Sequence, residues 1–244
     1  MRKRLNYSKN RVWFIDEIRG IAIVLMVLYH AIFDMVFLFN VEIAAFSCGP
    51  VNLIRDFFAG LFIFISGVSC RFSSNNLKRG LKCLALGMGI TVITYIFFKD
   101  QAIYFGILHM LGLSMILYAL FEKFLSKIKF PTLGIIISGL LFGLSKTIWA
   151  LPFEIGDDLK KWLFAFGIVS KNFSSFDYFP LVPWSFIFLA GTFFGIFAVE
   201  HRLPSFFYKR HSKPVAFIGQ NTLIIYLLHQ PVIYVLLYLF FNYL

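Results

Sequence analysis

Charge is the commodity this sequence has least of. Only 14% of its 244 residues are Asp, Glu, Lys or Arg, where a soluble domain carries about 25%. With 59% hydrophobic and 20% aromatic residues alongside, that scarcity excludes a soluble globule. Apolar and polar residues do not alternate over strand-length segments, which argues against a transmembrane β-barrel. No G-x-S-x-G, P-loop or H-E-x-x-H is present, so the usual hydrolase elbow, phosphate cradle and zinc-protease helix are excluded. The three cysteines, Cys48, Cys70 and Cys83, lie far apart without ligand-like spacing, and neither a disulfide nor a metal site is expected. The basic stretch "MRKRLNYSKNR" precedes an apolar run too long for a signal peptide and lacking a small-residue cleavage site. It reads as a cytoplasmic tail before a retained first span.

What is present is a succession of apolar runs of about 20 residues, each long enough for a hydrocarbon core of about 30 Å. They predict spans at 13–39, 53–70, 81–98, 102–120, 130–150, 178–199 and 215–243. "WLFAFGIV", residues 162–169, is too short to cross and reads as an interfacial or re-entrant piece. The expectation is an all-α polytopic bundle of about seven spans, one integral membrane domain over 1–244, with lipid as its surroundings. The net charge of +11 does not call for a nucleic-acid partner. Sixteen of the 23 Lys and Arg fall on the side of the N-terminus and six on the other. By the positive-inside rule the N-terminus is cytoplasmic and the C-terminus outside.

Against this background "RGIAIVLMVLYHAIFD", residues 19–34, stands out. An ionisable group at mid-membrane costs about 2.5–3.5 kcal/mol on insertion scales and normally faces protein or a wet cavity. At 100° per residue, Arg19 and His30 differ by only about 20° around a helix, and Asp16 and Asp34 fall about 60° from Arg19 in the same direction. The four share one stripe. Arg19 lies near the cytoplasmic end, with snorkelling to headgroups and an inward role both open. His30 sits about 16 Å further along. Asp16 suits the positive end of the helix dipole.

"YFGILHMLG" and "NTLIIYLLHQP" place His109 and His229 at a depth comparable with His30. Each alone reads as readily as a hydrogen-bonded core residue. Three at one level, with Asp34 one turn from His30, point to a polar cavity in the outer half. Imidazole there suits general-base work or proton relay, and an adjacent carboxylate would orient the ring. Asp177, in "FDYFPLVPWS", is placed at the cavity mouth, and Gln230 beside His229. Arg55 and Asp56 read as interfacial charges, the span glycines as close-packing points, and His201 and His211 as solvated bystanders.

In order along the chain, "RVWFIDEIRGIAIVLMVLYHAIFD", "FGILHMLG", "YFPLVPW" and "IGQNTLIIYLLHQPV" resemble the bacterial proteins grouped with the catalytic domain of heparan-α-glucosaminide N-acetyltransferase. Arg19 and His30 also match the Arg-x10-His signature of the broader transmembrane acyltransferases, including acyltransferase family 3. The resemblance implies transfer of an acyl group, usually acetyl from acetyl-CoA, to a sugar or glycan acceptor across the membrane. It implies His30 as catalytic base and Arg19 as a residue that binds or orients the donor. On that reading Asp34 orients His30, while His109, His229, Asp177 and Gln230 meet the acceptor. Asn221 lines the donor path, no metal takes part, and a homodimer is left open. A bacterial plasma membrane is the implied location. The rival expectation is a proton-coupled transporter or lipid flippase using the same histidines as a relay.

Overall fold

A computed structural model describes residues 11–43, 49–99, 102–125, 127–128, 130–149, 157–170 and 172–243. The basic tail 1–10 and Cys48 lie outside them. Among the described residues every regular element is helical: α1 Trp13–Phe37, α2 Gly49–Cys70, α3 Asn76–Phe97, α4 Ile107–Leu125, α5 Pro131–Trp149, α6 Asp157–Leu163, α7 Leu181–Val199, α8 Lys213–Gln220 and α9 Thr222–Tyr243. All but α6 and α8 are long and apolar enough to cross a membrane. The seven expected spans are therefore present, and "WLFAFGIV" is a short turn of helix running into a 3₁₀ segment at Phe164–Phe166. Large apolar side chains such as Leu28, Phe57, Leu120, Leu140 and Leu236 stay exposed, as acyl chains rather than water would require.

The chain forms two compact units, residues 1–62 with 202–244, and residues 63–201. In the first, α1 packs on α8 and α9. The α1–α8 crossing is a backbone-to-backbone approach. A Cβ on Gly219 would land on the Asp16 carbonyl oxygen, and one on Gly20 on the Val215 carbonyl oxygen, so only glycine fits at either point. The start of α8 is capped from α1. Glu17 Oε1 accepts from the backbone N–H groups of His211 (2.6 Å) and Ser212 (2.7 Å), and Oε2 lies 3.1 Å from His211 Nδ1. Phe14 packs edge-on against Phe206 and Phe207 beside that cap. His211 is thus part of a helix-capping contact, although sequence reading left it as a bystander. The expected single last span over 215–243 is instead two helices, because the backbone leaves helical geometry at Asn221 (φ −106°, ψ 17°).

In the second unit α3 pairs with α4, and α5 and α4 both pack on α7. Helix α2 also meets α7 closely, since a Cβ on Gly67 would strike the Phe188 carbonyl oxygen. Gly89, expected to serve the same purpose, has open space around it. Helix α3 begins at Asn76 because the Asn75 side chain accepts from Lys78 N–H at 2.8 Å, a side-chain N-cap. Helix α4 takes its cap from far along the chain, Asp177 Oδ2 accepting from Ile107 N–H at 3.2 Å.

Candidate active site

The polar stripe of α1 is anchored at both ends within the first unit. At the Arg19 end, Asp16 Oδ1 accepts from Arg19 Nη1 (3.0 Å) and Oδ2 from Arg11 Nε (2.7 Å). Arg19 Nη1 also reaches the Gly219 carbonyl at 3.4 Å, so the glycine crossing brings α8 within its range. The guanidinium therefore turns to protein. Asn221 follows at the α8–α9 break, and its Nδ2 donates to the Phe217 carbonyl at 2.8 Å. Exposed Lys209, Arg210 and Lys213 lie around the start of α8.

The other end of the stripe meets α9. The rings of His30 and His229 have centroids 5.0 Å apart and planes at 59°. Tyr29 stands edge-on to His30 at 5.7 Å, and Tyr29 and Arg55 of α2 interact through their side chains. Asp34 is completely buried, and both its oxygens accept from Gln230 Nε2, at 2.9 and 3.1 Å. A hydrogen bond of this charged kind contributes about 1.5–3 kcal/mol. The carboxylate expected to orient His30 is thus committed to Gln230. His30 makes no hydrogen bond among the described residues.

Elementary donor–acceptor rules fix the orientation of the α9 pair. A carboxylate only accepts, so the Gln230 NH₂ faces Asp34 and its Oε1 must point elsewhere. A carbonyl likewise only accepts. His229 Nδ1, 2.6 Å from the Tyr226 carbonyl, therefore carries the ring proton and leaves a lone pair on Nε2. Both Gln230 Oε1 and His229 Nε2 are buried without a hydrogen-bond partner among the described residues. An unmet buried acceptor costs about 1–3 kcal/mol. The two lie on consecutive residues of α9, and the His229 ring faces that of His30.

His109 has a different setting, in the second unit. Its Nδ1 accepts from Gly106 N–H at 3.2 Å, and its Nε2 lies 3.2 Å from Thr91 Oγ1, whose hydroxyl donates to the Ile103 carbonyl at 2.6 Å. The Thr91 oxygen must then accept from Nε2–H, so both ring nitrogens are used. Phe105 stacks on the ring at 5.5 Å. Asp177 caps the same helix. Sequence reading grouped His109 and Asp177 with the acceptor site, and here both organise the start of α4. It also passed over Glu17, for which the signal was present: "HSKP" is a helix start with Pro in its first turn, and an acid on a neighbouring helix complements such a start.

These features define an all-helical polytopic membrane protein with paired imidazoles and a buried carboxylate–carboxamide contact between two of its spans. The family described as heparan-alpha-glucosaminide N-acetyltransferase, catalytic, matches residues 11–231, and the chain belongs to that family, one of membrane acetyltransferases. The matched region contains every residue of the His30 cluster. No curated protein and no solved structure matches the chain.

Proposed function

We propose that the protein is a membrane-embedded acyltransferase. It moves an acetyl group from acetyl-CoA on the cytoplasmic side to a hydroxyl or amine of a sugar or glycan acceptor on the outer side of a bacterial plasma membrane. The observation that carries this reading is the His30–His229 pair, in which one ring has no hydrogen-bond partner among the described residues and the other presents a buried lone pair. A neutral imidazole with an open ring nitrogen is suited to accepting a proton during acyl transfer.

The acceptor's oxygen or nitrogen forms a bond to the acyl carbon as the thioester C–S bond breaks. Its proton passes to His30, which returns it to the departing thiolate. The donor end of the protein fits an anionic nucleotide. Exposed Lys209, Arg210 and Lys213 would meet phosphates, and Arg19, held by Asp16, would orient the chain running along α1 past Asn221. About 16 Å of helix then separates the donor anchor from the reacting centre. Tight regulation of proton traffic by the same imidazoles is the transporter reading, but membership of an acetyltransferase family favours transfer.

The test is thermal stabilisation of the purified protein by acetyl-CoA, since a ligand at 100 times its Kd adds about 2.7 kcal/mol. Arg19→Ala should weaken that stabilisation. If acetyl-CoA leaves the wild type unchanged while solutes of another kind stabilise it, the transporter reading takes its place.

A further inference from the structure

We propose that α6 and the 3₁₀ segment after it form an interfacial wedge. It inserts Leu159, Trp162 and Phe166 among the headgroups and upper acyl chains of the leaflet at the end of α5. The partner is phospholipid, and the inference does not rest on the acyltransferase reading.

A helix of 7 residues continued by a 3₁₀ turn of 3 cannot cross a hydrocarbon core of about 30 Å. Nor does it run on into a re-entrant turn, because its end is closed. Gly167 N–H donates to the Phe164 carbonyl at 3.1 Å and Ile168 N–H to the Leu163 carbonyl at 3.3 Å. Gly167 has φ 100°, the left-handed conformation that suits glycine, and this pair of bonds is the Schellman stop. The segment is thus a short helix with defined faces. At 100° per residue Leu159, Trp162 and Phe166 share one side, and Phe164 points the other way.

The Phe164 side is latched to protein. Its ring stands edge-on to Phe105, just before α4, at 6.1 Å and lies 5.9 Å from Phe173. Its carbonyl accepts from the Tyr178 hydroxyl at 2.6 Å. The opposite side is exposed, Trp162 by 80% and Leu159 by 54%. A fixed helix therefore turns its largest apolar side chains away from the chain.

Lipid is the occupant that fits this face. The segment joins two spans, α5 and α7, so it lies at the membrane surface. The last turns of α5 already expose Leu144 and Ile148, and the wedge continues that apolar surface along the chain. An indole suits this level, with its ring among apolar groups and its N–H at the headgroups. A sugar could stack on Trp162 but needs polar groups beside the ring to fix its hydroxyls, and here the neighbours on the face are Leu159 and Phe166. A second copy of the chain would gain too little, since a stable interface buries about 1,000 Å² or more. Three side chains on one short helix fall well short of that. Tyr178 adjoins Asp177, whose Oδ2 accepts from Ile107 N–H at 3.2 Å. The wedge therefore holds the loop that caps α4 at the level of the headgroups.

The experiment is tryptophan fluorescence of the full chain in nanodiscs of phosphatidylcholine brominated high on its acyl chains. Iodide, which reaches both faces of a nanodisc, is the aqueous quencher. Trp162→Phe should lose a component of the wild-type emission that bromolipid quenches and iodide does not. Leu159→Asp puts a carboxylate into the wedge and should move the Trp162 component from bromolipid to iodide quenching. Its melting temperature in detergent should stay unchanged, because an exposed side chain is replaced. A Trp162 component quenched by iodide and not by bromolipid in the wild type overturns the wedge. So does one that neither quencher reaches, the outcome for a second copy seated on the face. A component that iodide quenches until methyl glucoside protects it assigns the face to sugar and overturns the wedge as well. Fluorescence is read without acetyl-CoA, so its result stands apart from that of any acetyl-transfer assay.

Discussion

His30 on α1 and His229 on α9 place their rings 5.0 Å apart, yet only His229 is tethered, through Nδ1 to the Tyr226 carbonyl. The tethered ring keeps a buried Nε2 with no partner among the described residues, and this gives a prediction in which activity falls while stability stays nearly constant. His229→Phe fills the same space against Tyr226, 5.4 Å away, and removes the unmet acceptor together with the Nδ1 hydrogen bond. The two effects offset each other, so the variant should stay within about 1 kcal/mol of the wild type, while acetyl transfer falls. Thermal unfolding and turnover of one preparation check both halves. A loss well beyond about 1 kcal/mol would show that Nε2 has a structural partner.

The α1–α8 crossing should tolerate nothing larger than glycine. In Gly219→Ala the added methyl would occupy the position of the Asp16 carbonyl oxygen. The helices must separate, which breaks the Arg19 contact to the residue 219 carbonyl. A loss of about 1–3 kcal/mol is expected, the usual cost of overpacking, with weaker acetyl-CoA binding alongside. Thermal unfolding with and without acetyl-CoA separates the two effects.

The long apolar runs made the seven spans legible, because length alone decides whether a helix crosses. Their ends were less so, since caps come from tertiary contacts. Helix α4 begins at Ile107 because Asp177, seventy residues later, accepts its first N–H. The break at Asn221 was hidden as well. Residues 215–243 are largely apolar, so hydropathy does not mark the break, which lies two residues after the close approach of Gly219 to α1. In the site, helical period placed Arg19, His30 and Asp34 on one stripe. Period cannot name a partner on another helix, so Asp34 was assigned to the imidazole one turn away instead of to Gln230. Three histidines at equal depth suggested one cluster. The hydrogen bonds of His109 to Gly106 and Thr91 give that residue a role within its own unit.

Glu17 should matter as the cap of α8. Glu17→Ala removes acceptors from the N–H groups of His211 and Ser212, and a charged hydrogen bond of this kind contributes about 1.5–3 kcal/mol. Glu17→Gln keeps one acceptor and should lose roughly half as much. Amide hydrogen exchange at residues 211–216 reads the fraying locally, and equal protection in Ala and wild type would contradict the capping role.

Alkaline pH should weaken the segment before α7. Burial pushes the Tyr178 phenol up to about 12, and its hydroxyl donates to the Phe164 carbonyl at 2.6 Å. The unfolded phenol titrates near 10, so between about pH 10 and 12 the folded state holds more protons than the unfolded one. Stability from this group is complete below about pH 10 and is lost as pH rises through about 12. Tyr178→Phe should be less stable at neutral pH by about 1 kcal/mol, with the difference shrinking as pH rises. Melting temperatures of the two proteins across that range show whether the gap closes.

The decisive measurement is release of free CoA thiol from acetyl-CoA by purified protein in nanodiscs on addition of a sugar acceptor, for wild type and His30→Ala. Removal of a general base lowers rates by about 10²–10⁴-fold. The wild type should turn over, and His30→Ala should fall by at least about a hundredfold with an unchanged melting temperature. Turnover in His30→Ala equal to that of the wild type would contradict the assignment of acyl transfer to the paired imidazoles.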